Sequence, residues 1–249
     1  LMDDFHDFNH REPAPTFADG VNSLIDDALT TENARRPQRD YLGGSRLGDA
    51  CQRRLQYEYL KVQKDENADF TGRSLRIFAL GHVLEDLAIE WLHKAGFDLR
   101  TRNRQGDQFG FSAAGGRIKG HADGVVVAVP NGMAVPALWE CKSANAKNWR
   151  DIVKRGVARS KPVYAAQIAL YQAYLGLADA PALFTAVNKD TCEIWHELVP
   201  FNAALAQTVS DKAVTILKAC DAGEQLARHT LDSDHFECRV CSWQTRCWA

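Results

Sequence analysis

Between Arg117 and Lys142 the chain carries two apolar, β-patterned runs, Gly124–Val129 and Val135–Trp139, separated by the turn-like Pro130-Asn131-Gly132. Two such runs around such a turn predict a hairpin. Asp123 opens the first run, and Glu140 and Lys142 close the second. Successive strand side chains point to opposite faces, so Glu140 and Lys142 share a face while Cys141 points to the other. The hairpin then brings Asp123 beside them. Two carboxylates and an ammonium at one strand end are a minimal apparatus for holding Mg²⁺ or Mn²⁺ against a phosphodiester. Acidic and basic residues at strand ends are also common as solvated side chains, so this reading depends on what surrounds it.

Upstream, residues 1–15 are acidic and aromatic with two prolines and read as a loose arm. Val21–Leu29 reads as a short helix, and Arg35–Arg39, with Pro37, as its breaker. Asp49 is placed to cap a helix in which Cys51, Leu55 and Tyr59 recur at a spacing of four. Ser74–Ala95 is the clearest amphipathic helix, with Leu75, Phe78, Ala79, His82, Leu84, Leu87, Ala88, Trp91 and Leu92 forming an apolar band. His82 and Glu85, three apart, can address one point, and Gly81 permits close approach. Most histidines on such a face are only core residues. Phe97–Arg104 alternates, with Arg100, Arg102 and Arg104 on one face, suited to an exposed edge or to phosphates.

Beyond Lys142 the chain turns basic: Lys147, Arg150, Lys154, Arg155, Arg159 and Lys161 against Asp151. An exposed helix face would explain it, but its place beside the candidate metal strand favours contact with a nucleic-acid backbone. Pro162–Leu177 reads as a helix with Pro162 at its start, and Gln167 and Tyr171 share one side of it. Buried amide and phenol groups need partners, in the core or at a substrate. Leu183–Val187 and Cys192–Val199 read as a strand pair, and Phe201–Arg228 as a long helix.

The 249 residues fit one sizeable domain, and 45% hydrophobic with 25% charged residues is ordinary for a globular chain. A net charge of −2 argues against a wholly basic binding surface but allows a basic groove beside acidic metal ligands. With no secretory signal, seven cysteines suggest a reducing, cytoplasmic setting, where clustered thiols more often mean metal than disulfides. Cys238, Cys241 and Cys247 form C-x₂-C-x₅-C at the end of the sequence. Three thiolates need a fourth for a closed tetrahedral zinc or a cubane. Cys141 belongs to the strand, and Cys192 and Cys220 stand alone, which leaves Cys51.

The order His82, Asp123, Glu140-x-Lys142, Gln167-x₃-Tyr171 resembles the RecB-type nucleases of the PD-(D/E)XK superfamily. One cysteine before that core and C-x₂-C-x₅-C after it are similar to its iron–sulfur branch, which includes CRISPR-associated RecB-like exonucleases, the AddB nuclease domain and phage-encoded exonucleases. The resemblance covers roughly residues 45–249. It implies an α/β fold: a restriction-endonuclease-like core with a mixed central sheet flanked by the Ser74–Ala95 and Pro162–Leu177 helices. An iron–sulfur subdomain, formed by residues 45–70 and 229–249, would join the N-proximal segment to the tail, with residues 1–44 as a separate arm and helix.

By position, the resemblance implies that His82, Asp123, Glu140 and the Cys141 carbonyl bind Mg²⁺ or Mn²⁺. Lys142 would activate water or stabilise the phosphate, and Gln167 and Tyr171 would position the lysine and DNA. Cys51, Cys238, Cys241 and Cys247 would hold a [4Fe–4S] cluster, and Lys147, Arg150, Lys154 and Arg155 would contact DNA. Ala122 stands where the superfamily's name implies Pro, while Gly120 fits the RecB pattern. The implied function is a metal-dependent DNA exonuclease in phage or prophage recombination, end processing or CRISPR adaptation, with a homo-oligomer or a recombination partner allowed. Two rivals are a DNA-binding module with a vestigial site and a zinc-binding interaction protein.

Overall fold

The computed structural model describes residues 15–130 and 132–249, which fall into two units: residues 15–37 with Phe70–Phe78, and Gln38–Asp69 with Ala79–Ala249. In the first unit, helix α1 (Phe17–Ala34) starts four residues before the apolar pattern does. The reason is a capping box. Thr16 Oγ1 accepts from the Asp19 N–H, and the Asp19 carboxylate accepts from the Thr16 N–H at 2.8 Å. The helix stops short of Pro37, as expected. Asp26 pairs with Arg76 inside this unit. Apart from Pro15, the arm expected over residues 1–15 lies outside the described residues, as does Asn131 of the expected turn.

The second unit contains β1 (Leu42–Gly43), α2 (Gln52–Tyr59), the part of α3 (Gly72–Lys94) from Ala79 onward, β2 (Asp98–Arg100), β3 (Gly110–Ala113) and β4 (Ile118–His121). It continues through β5 (Gly124–Ala128), β6 (Ala137–Ala144), α4 (Ala146–Arg155), α5 (Val157–Ser160), α6 (Pro162–Tyr174), β7 (Ala182–Asn188) and β8 (Ile194–Val199). It closes with α7 (Ala203–Ala222), α8 (Phe236–Arg239) and α9 (Gln244–Trp248). Two mixed sheets result, one ordered β1-β4-β3 and one ordered β2-β5-β6-β7-β8. Helices flank them, as an α/β class requires.

Alternation along the strands divides the larger sheet's residues between two cores. Val126, Trp139, Cys141, Leu183 and Val187 pack with Leu84, Ala88 and Leu92 of α3. Val125, Leu138, Phe184 and Ala186 pack with Ile168 and Leu170 of α6, backed by Val209, Ala213 and Ile216 of α7. Covered on both faces, β7 is buried along its whole length, whereas edge strand β8 alternates exposed and half-buried. Helix α6 is buried from Ala165 to Gln172, which explains its nearly all-round apolarity. Gly223, in the left-handed region at φ 67°, terminates α7 six residues before the expected end.

Several expectations need correction. β6 runs two residues past the expected close at Lys142, because parallel pairing with β7 carries it to Ala144. Cys51, not Asp49, is the N-cap of α2, and Asp49 Oδ1 accepts from the Cys51 N–H at 3.0 Å. The apolar band of α3 is buried only around Leu84, Ala88 and Leu92, while Phe78 is exposed and His82 lies on the surface. The arginine row is broken by local chemistry: β2 ends at Arg100, which pairs with its own neighbour Asp98, and Arg102 donates to the Gly106 carbonyl. A Cβ at Gly81 would make only ordinary contact, 3.5 Å from Ser143 Oγ.

Candidate active site and cysteine pocket

Glu140 sits in the middle of β6 on the face toward α6, fully buried. Its Oε1 accepts from Gln167 Nε2 at 2.6 Å and from Lys142 Nζ. Its Oε2 is buried with no hydrogen-bond partner. A carboxylate oxygen left so is costly unless something absent from the protein itself satisfies it. Asp123, just before β5, directs Oδ2 to the Cys141 backbone N–H at 2.9 Å and lies 3.8 Å from Lys142 Nζ. The antiparallel pairing of Gly124 with Trp139 places it there. The Lys142 ammonium also lies over the Tyr164 ring, 5.6 Å from its centroid.

Charge is crowded here. Burial, then Asp123, push the Glu140 carboxyl up to about 8 against the pull of Lys142. Burial, then Asp123, push Glu85 up to about 7. Burial works against the Lys142 ammonium, but Glu140 and Asp123 outweigh it and hold the group protonated. The carboxylates share one field, so the cluster as a whole keeps a proton that an unfolded chain would release. Between the ordinary carboxylate range and about pH 8 the folded state therefore binds more protons, and stability falls as pH rises through that window. Chelator-treated protein is expected to melt lower near pH 8 than near pH 5.5. Mg²⁺ or Mn²⁺ should raise the melting temperature more at the higher pH, since a cation displaces the proton. Calorimetric melts with and without chelator test this, and a cation effect independent of pH would contradict it.

Gln167 reaches Glu140 rather than the lysine it was expected to position. Tyr171, one turn on, is buried against Phe111, with ring centroids 5.4 Å apart. Burial and then the Glu140 charge push its phenol up, while a hydrogen bond with the His121 backbone pulls the other way. Gly120 makes this packing possible. A Cβ there would fall 2.4 Å from Phe111 Cε1 and 2.8 Å from Tyr171 Cε1. Gly120→Ala should overpack this corner and cost about 1–3 kcal/mol, measurable by denaturant unfolding.

His82 is exposed on α3, and His82, Asp123 and Glu140 do not place three ligand atoms all within 4.8 Å of one another. Glu85, one turn along, is the α3 side chain whose charge is coupled to Asp123 and Lys142. Tyr164 was missed by sequence reasoning, although its position one turn before Gln167 on α6 could have indicated it.

The four selected cysteines come together. Cys51, Cys238, Cys241 and Cys247 line one pocket with Arg54, Arg228, His229, Glu237 and Trp248. All four are free thiols. Burial raises the Cys238 and Cys241 thiols, and Cys51 and Cys247 push both further in the same direction. Arg53 Nη1 donates to Cys247 Sγ at 3.6 Å. The tail is tied to the segment after α2: Trp243 Nε1 donates to the Val62 carbonyl at 3.0 Å, and Asp65 Oδ2 accepts from the Thr245 N–H at 2.6 Å. Cys192 is exposed, and Cys220 lies against the α2–α7 core.

On α4, Lys147, Arg150, Lys154 and Arg155 are all exposed. Arg155 is engaged with Asp151 and the Arg159 carbonyl, and Lys161 with Asn148.

No family model and no curated protein matches the chain. Solved structures do. An alkaline exonuclease (LHK-Exo) from Laribacter hongkongensis superposes with a TM-score of 0.52 over 81% of this chain and 93% of its own, at 16% identity. The same protein in complex with dAMP gives 0.51 over 74% and 89%, also at 16% identity. SSO0001 aligns over 90% of this chain with a TM-score of 0.48. The likeness to LHK-Exo is one of fold. Among the described residues, no helix is long and apolar enough to cross a membrane.

Proposed function

We propose that this protein is a metal-dependent DNA exonuclease of the RecB-like, iron–sulfur kind, with Asp123, Glu140 and Lys142 as its reacting centre. The observation that carries the reading is the fully buried Glu140, whose Oε2 has no partner while Asp123 and Lys142 stand beside it. The fold likeness to an alkaline exonuclease that binds dAMP supports a nucleic-acid substrate.

Oxygen donors of this kind fit Mg²⁺ or Mn²⁺. Asp123 and Glu140 would hold the ion, with the Cys141 carbonyl and, after an inward turn, His82. When bound, it polarises a phosphoryl oxygen and lowers the pKa of a water. Gln167 fixes Glu140 by occupying Oε1. Lys142, beside both carboxylates, would offer a positive charge to the phosphate. Tyr171 supports that wall from behind. Glu85 stands near as a second acidic group.

The exposed cations of α4 would hold the DNA backbone. Arg150→Glu with Lys154→Glu should weaken DNA binding and flatten the slope of log affinity against log salt by roughly 2, because fewer counterions are released. Turnover of bound DNA should not change. An unaltered slope would place this face away from DNA.

The four thiols line one pocket, but no three of their sulfurs lie within 4.8 Å of one another, a spacing that suits a larger [4Fe–4S] cluster better than a single Zn²⁺. The nearby Arg53, Arg54 and Arg228 suit an anionic thiolate centre. The proposal is the cluster: anaerobically purified protein should be brown and contain iron, whereas a zinc centre would be colourless. The nuclease reading itself is tested by incubating end-labelled linear and closed circular DNA with Mg²⁺ or Mn²⁺. Degradation of linear DNA alone supports an exonuclease, and failure to degrade either would overturn the reading.

A further inference from the structure

In the wall of the thiol pocket, a set of nitrogen and oxygen donors converges that the nuclease site does not use. His229, His235 and Glu237 each place one ligand atom within 4.8 Å of the others. His235 is the N-cap of α8, and its Nδ1 accepts from the Glu237 N–H at 3.3 Å, which fixes these two residues on one short turn. His229 returns from the connection after α7. Its neighbour Arg228 holds that segment by donating to the Cys247 carbonyl at 2.6 and 2.9 Å, with its guanidinium 4.5 Å from the Trp248 ring centroid. The backbone therefore presents all three side chains without help from a ligand.

The contact between two of them is informative. His229 Nε2 lies 3.1 Å from Glu237 Oε2, yet that oxygen is buried and makes no hydrogen bond. The pair is close but not aimed at each other. Two ligands of one tetrahedral metal stand at about this separation, roughly 3.3 Å for bonds near 2.0 Å, with lone pairs directed at a third point. The two imidazole rings meet nearly edge-on at 73°, with centroids 5.4 Å apart.

We propose that His229, His235 and Glu237 form a thiol-free site for a borderline transition-metal dication such as Zn²⁺, separate from the centre held by the four cysteines. Two imidazoles and a carboxylate select such an ion over Mg²⁺ or Ca²⁺, which take oxygen ligands. By pinning the α7–α8 connection to α8, the ion would stabilise the wall of the thiol pocket that His229 and Glu237 line. The inference does not depend on the nuclease reading. Its rival is a mixed site in which a cysteine shares the same ion.

The test is Co²⁺ titration of the full-length protein in its as-isolated state, after dialysis against a mild chelator. Expected is an added Co²⁺ equivalent with visible d–d bands and no thiolate charge-transfer absorption, displaced by Zn²⁺. The His229→Gln/His235→Gln double variant should bind it at least about 100-fold more weakly, since even outer-shell partners of a metal are worth 10–100-fold. Glu237→Gln, which keeps both imidazoles, guards against a misfolded double variant and should weaken binding by a smaller factor. Zn²⁺ should raise the melting temperature of wild type and not of the double variant. Equal Co²⁺ uptake by wild type and both variants would overturn the proposal. So would thiolate charge-transfer absorption that disappears with the histidines.

Discussion

Glu140→Gln protein is expected to lose DNA hydrolysis by on the order of 10³-fold or more while melting within a few degrees of wild type. Metal polarisation of a phosphoryl group supplies several kcal/mol, and each 1.36 kcal/mol is tenfold in rate, so losing a ligand charge should cost about three decades. Stability should behave differently. The buried carboxylate resists ionisation, and its removal relieves repulsion with Asp123 and Glu85. A glutamine oxygen can still accept from Gln167, and Lys142 keeps Asp123 at 3.8 Å. Were Glu140 instead a structural ion-pair partner of Lys142, its loss would cost about 3–5 kcal/mol and lower the melting temperature by roughly 10 °C. Single-turnover cleavage rates and calorimetry on the same preparation separate the two cases.

Cys247→Ser and Cys51→Ser should each give colourless protein with a melting temperature lower by roughly 10–20 °C. A metal centre on these thiols would join residues near the two ends of the second unit's chain and close a very long loop. Closing such a loop is worth about 5 kcal/mol by chain entropy, and in a domain of this size each kcal/mol moves the midpoint by about 2–4 °C. Hydrogen bonds from the tail to Val62 and Asp65 remain in these variants, so partial docking should survive, visible as intact far-UV signal. Activity should fall with stability, and recover at low temperature, because neither Asp123 nor Glu140 lines the pocket. Cys192→Ser and Cys220→Ser, outside the pocket, should keep iron content and melting temperature. Full iron in Cys51→Ser protein would show that the fourth ligand lies elsewhere.

What sequence could reveal was set by how locally each feature is encoded. Asp123, Glu140 and Lys142 were legible because strand alternation and one hairpin place them, and both are short-range properties. That Cys51, Cys238, Cys241 and Cys247 meet at one pocket was legible by spacing and by elimination. The length of β6 was not, because its last residues are held by a parallel partner, β7, far along the chain. The partner of Gln167 was also hidden: helical spacing places it beside Tyr171 but says nothing of which strand residue it meets. His82 shows the opposite error. A histidine in an apolar band suggests burial, yet the N-terminal half of that band is exposed, so periodicity overstated the packed face. His229 lies in an irregular connection and His235 and Glu237 on a helix of four residues, too short to show a period, and only the folded backbone brings them together.

The central claim is that an ion held by Asp123 and Glu140 contacts the phosphate being cleaved. Sulfur substitution at the scissile phosphate tests it most directly, because Mg²⁺ binds sulfur poorly whereas softer Mn²⁺ or Cd²⁺ tolerates it. Cleavage of one phosphorothioate diastereomer is expected to collapse in Mg²⁺ and to return when Mn²⁺ or Cd²⁺ replaces it. Cleavage of both diastereomers at the unmodified rate in Mg²⁺, or unmodified DNA cut equally well in chelator, would contradict the account.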